Sequence, residues 1–99
     1  MSLSSKQRAF LRSAAHHLKP ILHVGKEGVT DATIQSLEEA LHTHELFKVK
    51  VQEASPHSAR DAGGLFTERV PGLEHVQTIG RTVILYRAHP ETPEIRLPK

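Results

Sequence analysis

Ile21-Leu22-His23-Val24-Gly25-Lys26-Glu27-Gly28-Val29-Thr30 reads as a short apolar strand, a four-residue loop and the threshold of a helix. Glycines at both ends of the loop allow a sharp turn and let a ligand approach the main chain without a β-carbon in the way. Lys26 adds positive charge, and a helix opening at Thr30 would aim N–H groups at the same spot. The combination suits a backbone grip for phosphate. An ordinary strand-to-helix turn uses the same pieces, so the loop by itself does not decide function.

Working outward from the loop, the preceding segment carries a capping-box pattern at Ser4 and Gln7. Leu3, Phe10, Ala14 and Leu18 follow at helical spacing, which predicts a first helix over residues 5–18 with Phe10 in the core, ended by Pro20. Arg8, Arg12 and His16 then share one face, a basic stripe just ahead of the loop. Beyond the loop, Thr30 is the expected N-cap of a second helix that buries Ile34, Leu37 and Leu41 and turns Asp31, Gln35, Glu38 and His42 to water.

In residues 46–52, Phe47, Val49 and Val51 alternate with Lys48, Lys50 and Gln52. This predicts a strand in a sheet with one open face. A third helix is expected over residues 56–70, burying Ala59, Ala62 and Phe66, although Gly63 and Gly64 within it each cost about 1 kcal/mol relative to alanine. Strands over 76–79 and 83–87 are joined by Gly80-Arg81, a two-residue hairpin turn with glycine first, as type II′ requires. Two βα crossovers would make parallel neighbours and the hairpin an antiparallel pair. The expected fold is therefore α/β, of two-layer α+β kind, ordered αβαβαββ around a four-stranded mixed sheet. Residues 1–99 form one domain with its core at about 3–87. From Ala88 onward Pro90, Pro93 and Pro98 predict an extended tail.

The chain has 99 residues, 37% of them apolar, and no cysteine. One core fits that length, and disulfides and thiolate metal sites are excluded. No apolar stretch approaches the roughly 20 residues of a membrane span, and the polar start lacks a signal-peptide core; the expected compartment is the cytoplasm, with no membrane partner. The net charge of +2 is modest, but its distribution is uneven. Residues 1–26 hold Lys6, Arg8, Arg12, Lys19 and Lys26 and no acid, whereas residues 27–45 hold five acids and no Lys or Arg. Such polarity suits a protein that presents one surface to a polyanion.

Three blocks, residues 18–30, residues 44–51 and Ile79-Gly80-Arg81-Thr82-Val83-Ile84-Leu85-Tyr86-Arg87, together resemble the CRM domain of chloroplast RNA splicing and ribosome maturation proteins. That domain also occurs free-standing in the bacterial YhbY family. The resemblance runs from about Leu3 to Arg87. It implies a fold similar to the C-terminal domain of the third translation initiation factor, and association with precursors of the large ribosomal subunit. The family's loop carries over as Gly25, Lys26, Glu27 and Gly28, with Lys19 and Pro20 ahead of it. The chain departs from the family most at Arg60, Gly63, Gly64 and Pro71-Gly72.

The expected function is RNA binding that assists large-subunit assembly, by a non-enzymatic monomer without cofactor. RNA is the primary partner and ribosomal proteins are further ones. The candidate RNA-binding residues are Arg8, Arg12, Lys19, Gly25, Lys26, Glu27, Gly28, Lys48, Lys50 and Arg81. Loop backbone pairs with sugar-phosphate oxygens while the cations neutralise phosphates. Engagement of about four phosphates would give a salt slope near −3. Glu27 repels phosphate unless turned away, and its plainer role is to stabilise a helix N-terminus. Lys48, Lys50, Arg81 and Arg87 have an equally plain reading as solvated strand residues. With Phe10, Phe47 and Phe66 assigned to the core, only Tyr86 is left for base stacking, and it too could be strand packing.

The eight histidines show no spacing suited to a metal: His16-His17 are adjacent and His42/His44 are two apart, unlike an i, i+4 ligand pair. No metal site is expected, and a nuclease with a His general base is the weaker enzymatic reading. The alternative function is a protein-interaction module in which the acidic second helix meets a basic ribosomal protein.

Overall fold

The computed structural model describes residues 3–99; residues 1 and 2, which the expected domain bounds include, lie outside the described residues. Seven elements run in the expected order: α1 (Ser5–Ala14), β1 (Leu22–Val24), α2 (Asp31–Ala40), β2 (Leu46–Val51), α3 (Ala59–Arg69), β3 (Glu74–Ile79) and β4 (Thr82–Tyr86). The four strands form one mixed sheet in the order β1-β2-β4-β3. β1 is parallel to β2, while β4 is antiparallel to both β2 and β3.

One expected pairing is corrected: β3 is not a neighbour of β2, because β4 lies between them. Burial explains the order. Val83, Ile84, Leu85 and Tyr86 are all buried, as a central strand covered on both faces requires, whereas β3 is mostly half-buried and carries a bulge at Val76, both suited to an edge.

The alternation in β2 divides two cores. Phe47, Val49 and Val51 join Val24, Ile34, Leu37, Phe66, Val83 and Leu85 beneath α2 and α3. On the other face, Leu46, Val76, Ile84 and Tyr86 are covered by Leu11 and Ala15 of the α1 segment, with Ile95 and Leu97 of the tail packed against them. The sheet face expected to be open is thus half covered, and its uncovered half lies toward the hairpin and the glycine loop.

The Ser4–Gln7 capping box forms as read, each backbone N–H bonded to the other side chain at 3.0 and 3.1 Å. The helix phase differs by one residue. Leu11 and Ala15 are buried, while Phe10 is 40% exposed, so Phe10 is not a core residue. α1 also stops at Ala14 rather than Leu18. The turn that follows it is held by a residue remote in sequence: Lys48 Nζ donates to the carbonyls of Leu18 at 2.9 Å and His16 at 3.5 Å. These carbonyls lie past the last residue of the helix, in the segment that runs to β1.

α3 begins at Ala59 behind an N-cap at Ser58, later than the expected residue 56. Gly63 is needed there because the His75 ring lies over the helix: a β-carbon at Gly63 would stand 2.7 Å from His75 Cε1. Gly64 meets nothing within 4 Å. At the hairpin Gly80 takes φ +57 and Arg81 stays out of the left-handed region, as a type II′ turn demands. No helix among the described residues is long and apolar enough to cross a membrane.

Candidate nucleic-acid interface

The sheet gathers three loops at one end. Gln52 N donates to Val24 O at 2.8 Å and Val51 N to Arg81 O at 2.7 Å, so residues 25–28, residues 52–58 and the hairpin tip at 80–81 emerge side by side. Within the first loop, Gly28 N closes a turn onto Gly25 O at 3.0 Å. The two glycines are not equivalent. Gly28 sits at φ +73, and a β-carbon there would lie 2.8 Å from His57 Nε2 and 2.9 Å from Pro56 Cγ. Gly25 has neither restriction; its β-carbon would meet only Gln52 Oε1, at 3.4 Å. Between them Lys26 and Glu27 project into solvent.

The helix that follows offers less to an anion than its position suggests. Thr30 and Thr33 form a reciprocal cap, with N–H to Oγ1 distances of 3.1 and 3.2 Å, and Asp31 places a carboxylate in the first turn. Two of the terminal donors are therefore occupied, and the charge beside them is negative. The grip, if phosphate is held here, comes from the loop backbone and Lys26.

Beside the loop, the uncovered half of the sheet carries a continuous row. His23 pairs with Lys50, Lys50 with Thr82 and Thr82 with Ile79, all on the α1 side. Lys50 and His23 are exposed, and Ile79 is 51% exposed. A basic, partly apolar strip thus runs across the sheet from the strand that leads into the glycine loop to the hairpin.

Residues 3–87 match the family model of the CRS1 / YhbY (CRM) domain. The chain belongs to that family. Among its relatives is YqeI of Bacillus subtilis, named as a probable RNA-binding protein, 43% identical over 96 residues that cover 97% of this chain and 99% of that one. An RNA-binding protein of Haemophilus influenzae is 38% identical, with 99% and 97% covered. The solution structure of SAV1595 from Staphylococcus aureus superimposes with a TM-score of 0.81 at 34% identity, covering 98% of this chain and all of that one.

In this CRM domain the sequence-derived cations separate into two groups. Lys26 and Lys50 are exposed at the loop end of the sheet, and Lys19 is exposed ahead of β1, at the strand's other end. Arg81 is exposed at the hairpin tip, 3.6 Å from Glu53 in a surface pair that binds it weakly. The others are engaged within the fold. Arg8 Nη1 donates to Val76 O at 3.0 Å and to His75 O, satisfying carbonyls at the β3 bulge. Arg12 reaches Gln77 Oε1 at 3.2 Å, and Lys48 ties down the turn after α1. The basic stripe of α1 therefore faces β3, where its first member is structural. Arg87 similarly donates to Pro71 O at 3.1 Å.

The aromatic assignment inverts. Tyr86 is buried against the α1-side core and Phe10 is the exposed ring. Burial, with the Glu45 carboxylate nearby, raises the Tyr86 pKa above its usual value. His75, half-buried with Nε2 2.7 Å from Thr78 Oγ1, is held below the ordinary histidine range by burial and by the Arg8 and Arg60 charges.

The acidic segment is also partly spent. Asp31 pairs with Arg69 at 2.7 Å, and Glu45 accepts backbone N–H groups from His89, Glu94 and Ile95 at 2.7–2.9 Å. Sequence reasoning had no signal for this anchoring of the tail, since Glu45 lies more than forty residues from its donors. Among the described residues no three His, Asp or Glu side chains converge as a metal site would require.

Proposed function

We propose that this CRM domain binds RNA without catalysing a reaction, associates with precursors of the large ribosomal subunit and assists their assembly. The observation that carries the reading is the loop end of the sheet, where a turn closed at Gly28 presents Lys26 and main-chain groups next to the exposed Lys50–His23 row. An irregular RNA offers its sugar-phosphate backbone to the loop, and Lys19, Lys26, Lys50 and Arg81 neutralise phosphates around it. Gly25 gives the backbone room, and Glu27 points into water. Arg12 and Lys48 flank this surface, whereas Arg8 holds the β3 bulge, away from the hairpin tip. The names of the relatives support RNA as the ligand class. Ribosomal proteins in the same particle are secondary partners, and the cytoplasm is the compartment in which such particles occur.

Tagged protein sedimented through a sucrose gradient of cell lysate tests the assignment, with a Lys26→Glu/Lys50→Glu variant alongside. Co-migration of the unaltered protein with large-subunit precursors, lost in the variant, is expected. Retention of both proteins at the top of the gradient would overturn the ribosomal assignment.

A further inference from the structure

A groove of about 330 Å3 lies between the C-terminal end of α1 and the sheet. Ile79 and Ile84 form its apolar part, and Arg12, Ser13, His16, His17 and Lys48 line the rest. No acid lines the groove, and α1 contains none. Its volume falls at the low end of the range for small-ligand sites, about 300–1,000 Å3.

The chemistry of this lining differs from that of the glycine loop. Three of the side chains are planar: the Arg12 guanidinium and the His16 and His17 rings, whose centroids stand 5.7 Å apart with planes at 81°. Unstacked bases in single-stranded RNA bind against such planes and against apolar side chains. A bare phosphate would gain nothing from Ile79, which is 51% exposed. Lys48 is directed to the carbonyls of His16 and Leu18, so it adds positive potential without being the groove's free hand.

We propose that this groove is a nucleobase subsite, accepting one unpaired base of the RNA whose backbone the glycine loop holds; it rests on the RNA-binding reading above. The Lys50–Thr82–Ile79 row links the two features across the sheet. Base stacking, which the buried Tyr86 cannot supply, is then provided by histidine and arginine planes at the end of α1. The engagement of Arg12 with Gln77 orients the guanidinium beside β3.

Fluorescence anisotropy separates base from backbone. The probes are a labelled single-stranded oligoribouridine and the same oligonucleotide with abasic riboses, which keeps the phosphate charge. The intact probe should bind about tenfold more tightly than the abasic one. Ile79→Ala and His17→Ala should each weaken the intact probe by about fivefold and leave the abasic probe unchanged. Both positions are exposed, so these variants should fold. Equal binding of the two probes by the unaltered protein, or equal weakening of both by the variants, would overturn the subsite. Lys26→Glu should weaken both probes; if it weakens neither while the base dependence persists, the loop reading fails and the groove stands. Binding of neither probe by the unaltered protein would reject both.

Discussion

His57 Nε2 stands 2.8 Å from where a β-carbon on Gly28 would lie, so the loop after β2 dictates which residue can close the loop after β1. Position 28 is restricted twice, by φ +73 and by this contact. Gly28→Ala should therefore destabilise the domain by about 1–3 kcal/mol and distort the turn. Gly25→Ala should stay within about 0.5 kcal/mol of the parent. Urea denaturation of the two variants checks the asymmetry.

A second glycine pair, in α3, makes a similar contrast. A β-carbon at Gly63 would press into the His75 ring, and Gly63→Ala should cost about 1–3 kcal/mol. Gly64 faces open space on a helix, so Gly64→Ala should stabilise by about 0.5–1 kcal/mol. Thermal melts of the two variants should move in opposite directions.

Much of this architecture is legible in the sequence because its signals are local. The Ser4–Gln7 box, the Thr30 cap, the alternation through Phe47, Val49 and Val51, and the Gly80-Arg81 turn all act within a few residues of themselves. What was not legible depends on tertiary partners. The phase of α1 turned on choosing Leu11 over Phe10, a choice the sheet beneath makes. Lys48, Arg8 and Glu45 look like surface charges until the fold brings remote carbonyls or N–H groups to them. The candidate site follows the same rule: the glycine loop is readable, whereas the groove at the end of α1 exists only once β3 and β4 lie beside it.

The two groups of cations should separate in experiment. Arg8→Ala leaves bulge carbonyls without their donor and should cost about 1–3 kcal/mol of stability. Lys26→Ala and Lys50→Ala, at exposed positions, should leave stability within about 0.5 kcal/mol. Each should instead reduce the salt slope of RNA binding by about 0.7, the loss of one phosphate contact. Binding titrations across salt concentrations, paired with denaturation, distinguish the two behaviours.

Glu45 predicts how the tail responds to acid. Burial works to raise its pKa, but the N–H groups of His89, Ile95 and Glu94 and the His89 charge outweigh burial and hold it below the ordinary 4.5. A depressed carboxylate contributes stability that is present in full above its unfolded value and is lost as pH falls through the folded one. The tail should thus remain docked at neutral pH and detach in acid below about pH 4.5. The protection of the His89, Glu94 and Ile95 amides against exchange with solvent deuterium, measured by NMR relative to the intrinsic rate at each pH, should fall over that range. Glu45→Gln should bring faster exchange to neutral pH.

The central claim is that RNA meets this domain at the loop end of the sheet. The most direct measurement is the change in backbone amide NMR shifts as single-stranded RNA is added to the labelled protein. The predicted result is a set of perturbations over residues 23–29, 50–53 and 79–82, with Glu38 and Glu39 of α2 unmoved. Perturbations concentrated on α2, with the glycine loop silent, would contradict it.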